Sequence, residues 1–185
     1  MISSKIILKM IYMFLLYAGV DIENIDDDVH CQFIQLADAI NIEAESKDET
    51  LRLVTIAYHE SKFNFEGKEK IVSLKGACGV FQQLPKYSLP LKDKKTCSDL
   101  MDSYESTESA VLMIRLIRKL WGSLEKGSIC HYFAGNECTV ENGGFRYAKK
   151  HEKLMKKAKW FLRKAKKSDE IDGLIDRKKD SCLGC

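Results

Sequence analysis

Between residues 145 and 167 the chain repeats Tyr147, His151, Leu154, Ala158, Phe161 and Ala165 at intervals of three and four, with lysine and arginine crowding the positions between. That period matches the turn of an α-helix and sets all six side chains on one stripe. A strand alternates every second residue, so this segment is expected to form a helix with one wet face and one buried face. Such a stripe needs partners, and the rest of the chain offers them in the same form. "HCQFIQLADAINI" places Phe33, Leu36, Ala37 and Ile40 at helical spacing. "SKDE" at 46–49 has the form of a capping box and opens a helix through Leu53, Ile56, Ala57 and Glu60. Ala110, Ile114, Ile117 and Trp121 mark another helix, with Gly122 as its C-terminal stop. Alternating strands are scarce, so the fold is predicted to be mainly α.

Its 185 residues suffice for one domain with a real core. Two prolines and eleven glycines exclude a fibrous or low-complexity chain. The net charge of +3 hides an uneven distribution: 21–28 is acidic, whereas 146–167 holds eleven Lys/Arg and one acid, Glu152. That basic helix is either a solvated face or an attractor for anionic polymers. Seven cysteines suggest oxidising surroundings, and the odd count leaves at least one free or bonded to another chain. No cysteine spacing builds a zinc site; Cys182 and Cys185 lack a second pair, and a loose tail is expected there. Cys130 and Cys138 bracket residues 132–135, and either bridge to close that loop or remain two thiols.

At the N-terminus, Lys5 and Lys9 precede an apolar run over 10–16 that is short for a bilayer span. It reads as a packing helix, or as a signal or anchor that touches a membrane. The resulting organisation is an apolar helix and acidic linker over 1–29, a domain over 30–167, and an aperiodic, mobile tail over 168–185.

Chemistry concentrates in "YHESKFNFEGKEKIVSLKGACGVFQQLPKYS", residues 58–88. Glu60 ends an apolar helix, and a glycine-rich turn follows. Gly76 and Gly79 permit a backbone turn close to a ligand in a neighbouring cleft. Gln82 offers a donor and an acceptor to an amide or sugar. Tyr132 and Tyr147 offer flat apolar faces with hydroxyl tips. A carboxyl group against apolar walls has a raised pKa and donates a proton near neutral pH. These are the parts of a glycosidase site.

The same residues resemble the soluble-lytic-transglycosylase domain family, which has a lysozyme-like fold. Its Glu-Ser at a helix end is matched by Glu60-Ser61. Its Ser-x-x-Gly-Ala-x-Gly…Gln-x-x-Pro motif is matched by Ser73, Gly76, Ala77, Gly79, Gln82 and Pro85. Its Ala-Tyr-Asn-Ala-Gly motif is matched by Tyr132, Ala134 and Gly135, and a later helical tyrosine by Tyr147. Order and spacing agree over roughly residues 33–162. The departures are Phe133 for asparagine, His131 for alanine, Cys78 for methionine and Gln83 for an apolar residue.

The resemblance implies a catalytic Glu60 held in position by a hydrogen bond from Tyr147, substrate contacts from Ser61, Ser73, Gln82, Tyr132 and Tyr147, and neither metal nor cofactor. The implied substrate is the peptidoglycan glycan strand, cleaved to a 1,6-anhydro end outside the cytoplasm. The settings it fits are a periplasmic enzyme, a secretion-complex muramidase or a virion-associated enzyme working beside other virion proteins; nucleic acid is not an expected partner. Two readings compete. One is a goose-type hydrolase whose second carboxylate is Glu66, Glu69, Asp93 or Asp99. The other is a structural tail or assembly protein that uses the domain for docking.

Overall fold

The basic helix buries its apolar stripe against helices from the first third of the chain. In the computed structural model, which describes residues 2–64, 72–90, 92–122, 128–135, 137–141, 143–178 and 182, it is α6 (Gly144–Ala165). It covers α3 (Lys47–Ser61) and α1 (Ser4–Tyr17). α1 also lies on α2 (Asp27–Glu43), which packs in turn on α4 (Ser103–Trp121). A short α5 (Cys130–Ala134) precedes α6, and α7 (Asp169–Lys178) follows it. No strand occurs among the described residues; an isolated bridge pairs Cys78 with Gln83. The protein is mainly helical, as its periodicity predicts.

The N-terminal helix is not set apart from the domain. Ile7, Met10, Ile11, Tyr12 and Phe14 are fully buried in the same core as Leu36, Ile56, Ala110 and Ala158. Phe14 stacks on Tyr58 at 4.6 Å and meets Phe161 edge-on at 4.8 Å, joining α1 to α3 and α6. Among the described residues no helix is long and apolar enough to cross a membrane.

The expected mobile tail is corrected over 169–178. Ile171, Leu174 and Ile175 are buried there, and buried Lys9 donates to the Ala165 and Ser168 carbonyls and to Asp172 at 2.5 Å. Cys182 bridges to Cys31 of α2, so that cysteine is tied to the core; Cys185 lies outside the described residues. Three spaced apolar residues make too short a stripe to stand out in sequence. A further bridge joins Cys78 to Cys97, and the alternative left open at Cys130 and Cys138 resolves as a bridge, with a Cα–Cα distance of 5.8 Å.

Candidate active site

α3 is fixed at both ends, and that fixes Glu60. Ser46 Oγ accepts from the Glu49 N–H at 3.1 Å, the predicted cap. Buried Glu49 then pairs with Arg115 at 3.0 Å and Arg118 at 3.3 Å, tying the helix start to α4. At the other end Lys62 and Phe63 adopt positive φ, 59° and 55°. This reversal ends the helix just past Glu60 and turns Phe63 back among Phe14, Phe33 and Tyr58. Lys62 Nζ donates to the Tyr58 and His59 carbonyls at 2.8 and 2.9 Å, satisfying the last turn.

α6 brings Tyr147 to that helix end. Its hydroxyl donates to Glu60 Oε1 at 2.6 Å, across 87 residues of sequence. Burial pushes the Glu60 carboxyl up to about 7. The Tyr147 hydrogen bond and the nearby Lys62 and Lys150 ammonium groups favour the carboxylate, but burial prevails. With Tyr147 on Oε1, Oε2 is left to hold the proton. Tyr132 also approaches: its hydroxyl donates to the Phe81 carbonyl at 3.2 Å, and burial and then the Glu60 charge raise its pKa.

Behind Tyr147 stands a stack of rings that sequence reasoning missed. His59 lies against it with centroids 4.2 Å apart and planes at 21°. His151, one turn further along α6, is 6.2 Å from both rings. On the other side Phe133 stacks at 5.1 Å and 15°, with its ring still exposed. Burial lowers His59 to about 4 and His151 to about 3. Among the described residues His59 Nδ1 and both His151 ring nitrogens are buried without a hydrogen-bond partner. Both imidazoles are therefore neutral at ordinary pH and act as flat walls. The i, i+4 spacing of Tyr147 and His151 on the predicted stripe was the available signal for part of this stack.

Other expected site residues serve the backbone. Ser61 Oγ donates to the Ala57 carbonyl at 2.9 Å and accepts from the Phe63 N–H at 3.2 Å, so it shapes the helix end. Ser73 Oγ accepts from the Ala77 N–H at 3.0 Å and builds the 73–77 turn. Gln82, at φ 48°, donates from Nε2 to the Gly79 carbonyl at 2.9 Å. These bonds engage Ser61 Oγ, Ser73 Oγ and Gln82 Nε2 with nearby backbone groups. Gly79 does not line a cleft either: a Cβ there would stand 1.7 Å from the Leu100 carbonyl oxygen. His131 stacks on Trp121 at 3.9 Å and bonds the Gly135 carbonyl at 2.5 Å. Gln83 turns into the core, where its amide, suitably oriented, meets the Ser106 carbonyl, Ser109 Oγ and the Ala110 N–H.

The candidate second carboxylates divide. Asp99 accepts from the Thr96 N–H and hydroxyl at 2.6 and 2.8 Å, which hold its pKa down. Asp93 is exposed, and neither acid is among the charges that act on Glu60. Glu66 and Glu69 lie outside the described residues. Among the described residues no group of three or more His, Cys, Asp or Glu side chains converges on a metal-sized space.

Comparisons of the chain with protein-family models, with curated proteins and with solved structures return no match. Fold and site together define a helical protein with a buried carboxylic acid poised near neutral pH.

The pairing with Tyr147 makes a direct prediction. Replacing Tyr147 by Phe removes a bond that favours the carboxylate, worth about 1 kcal/mol. The Glu60 pKa should then rise by on the order of half a unit to one unit. Carbon-detected NMR titration of the Glu60 carboxyl reads this; an unchanged or lowered value would contradict the assigned bond.

Proposed function

We propose that the chain is a peptidoglycan lytic transglycosylase on a lysozyme-like fold, with Glu60 as acid and then base. The observation that supports this most is the Glu60 carboxyl at about 7, held by the Tyr147 hydroxyl at 2.6 Å. A general acid works best with a pKa near the operating pH, because it must be protonated yet willing to give the proton up. Glu60 protonates the glycosidic oxygen between N-acetylmuramic acid and N-acetylglucosamine from Oε2. The carboxylate so formed takes the proton of the muramic acid 6-hydroxyl as that oxygen closes on C1. Bond cleavage and ring closure balance without water.

An ordinary glycosidase sets a second carboxylate a few ångströms from the first. An internal hydroxyl held beside C1 replaces it, since its effective concentration is far above that of a diffusing nucleophile. Of the goose-type candidates, Asp93 and Asp99 are not among the charges that act on Glu60, and Glu66 and Glu69 lie outside the described residues. The exposed Phe133 ring, stacked on Tyr147, supplies an apolar platform of the kind a pyranose face uses.

Products of wall digestion test the proposal. The released muropeptides should end in 1,6-anhydro-N-acetylmuramic acid, one water lighter than a lysozyme product and resistant to borohydride. Digestion in heavy-oxygen water should leave C1 unlabelled. Reducible, labelled ends would make the enzyme a hydrolase, and no lysis at all would favour the docking reading.

A further inference from the structure

The outer face of α6, turned away from Glu60, is largely exposed. Trp160 is 45% exposed on it. Arg146, Lys149, Lys153, Lys156, Lys157 and Lys164 lie within about 60° of Trp160 round the helix, along a line of about 27 Å. None of these six cations is ion-paired among the described residues. The end of α1 borders the stripe. Lys157 Nζ stands 4.3 Å from the centroid of the Tyr17 ring and 5.8 Å from that of Trp160. Lys164 Nζ is 5.5 Å from the Trp160 ring. Tyr17 is exposed, and so are its chain neighbours Leu16 and Val20. Two amphipathic rings, interleaved with ammonium groups and bordered by exposed aliphatic side chains, therefore form one patch.

We propose that this face docks on a bilayer carrying anionic lipid. The rings would sit at headgroup level and the cations on the headgroup phosphates. A row of cations alone would serve a linear polyanion equally well. Trp and Tyr rings with a polar edge instead suit the boundary between headgroups and acyl chains, and Leu16 and Val20 have an apolar surface that only the bilayer uses. Attachment is to the surface, since none of the described helices is long and apolar enough to cross. The orientation is functional as well. Tyr147 lies about 140° round α6 from Trp160, so a docked molecule turns the Glu60 side away from the lipid. This inference concerns a different face from the carboxylate site and does not depend on the reaction proposed there.

Vesicle co-sedimentation tests it with two compositions, phosphatidylcholine alone and phosphatidylcholine mixed with phosphatidylglycerol. The protein should pellet with the mixed vesicles and stay in solution with the neutral ones. Each cation near such a surface changes affinity by on the order of fivefold, so Lys157→Gln with Lys164→Gln should weaken binding roughly 25-fold. Trp160→Ser should weaken it as well, while circular dichroism shows both variants folded. Trp121→Phe leaves Trp160 as the sole remaining tryptophan of the two, and its emission should shift to the blue on mixed vesicles. Equal binding to both compositions, undiminished binding of the lysine variant, or an unshifted Trp160 emission overturns the proposal. So does soluble polyphosphate held as tightly as the mixed vesicles, which would mark a polyanion surface instead.

Discussion

Glu60→Gln is expected to abolish wall lysis and, at alkaline pH, to stabilise the protein. Glutamine keeps the shape and can still accept the Tyr147 hydrogen bond, but it cannot donate and recover a proton. Positioned acid–base catalysis contributes about 10²–10⁴-fold, and in the proposed reaction one residue performs both halves, so the upper end of that range applies. The stability effect follows from the pKa. The folded carboxyl titrates at about 7 against an ordinary value of 4.5. Between those values the folded state binds the proton more tightly than the unfolded chain does. Stability therefore falls as pH rises from the lower value through the upper one, and levels off above it. The full deficit is on the order of 3 kcal/mol. Glutamine carries no charge at any pH and escapes it. Denaturant melts should show the variant close to wild type near pH 4 and clearly more stable near pH 8. A variant that retained even a tenth of wild-type lysis, or that was less stable than wild type at the higher pH, would remove Glu60 from its assigned role.

The helices and the acid were legible in the sequence because each rests on a local signal. The α6 stripe, the Ser46 cap and the placement of Glu60 at a helix end need only spacing and residue type. The approach of Tyr147 to Glu60 came from the motif resemblance, since no local rule joins residues 87 positions apart. What stayed hidden depends on where backbone groups find partners. Ser61, Ser73 and Gln82 have hydroxyl or amide groups that suit a sugar, yet the turns around them use those groups first. His59 gave no sign of burial, because a histidine reads the same in sequence whether it is wet or walled in; His151 stands on the predicted buried stripe, but no local rule brings it to His59. α7 was missed for a related reason. Its three apolar residues mean little until the Lys9 bonds and the Cys31–Cys182 bridge hold it to α1 and α2.

Gly79→Ala should be the most damaging of the conservative changes, although Gly79 touches no catalytic group. Its φ of +73° already disfavours a side chain. A nearby glycine, Gly76, shares that conformation at +75° with nothing within 4 Å of its would-be Cβ. Gly76→Ala should therefore cost only the backbone term, about 1–2 kcal/mol. At Gly79 the new methyl would fall 1.7 Å from the Leu100 carbonyl oxygen and 2.8 Å from its carbon. Both are backbone atoms, so no side chain can swing aside. The two segments cannot part easily either, since Cys78 is bridged to Cys97 and Leu100 is fully buried. Relief would have to come from shifting the whole 97–101 turn, which leads directly into α4. The expected loss exceeds about 4 kcal/mol, in the range reserved for broken cores. Because the 78–83 turn also carries the Phe81 carbonyl that receives Tyr132, any surviving fold should show a disturbed site. Urea melts of the two alanine variants side by side decide the matter. Equal destabilisation of Gly76→Ala and Gly79→Ala would mean that backbone conformation, and not the Leu100 contact, is what requires glycine at this turn.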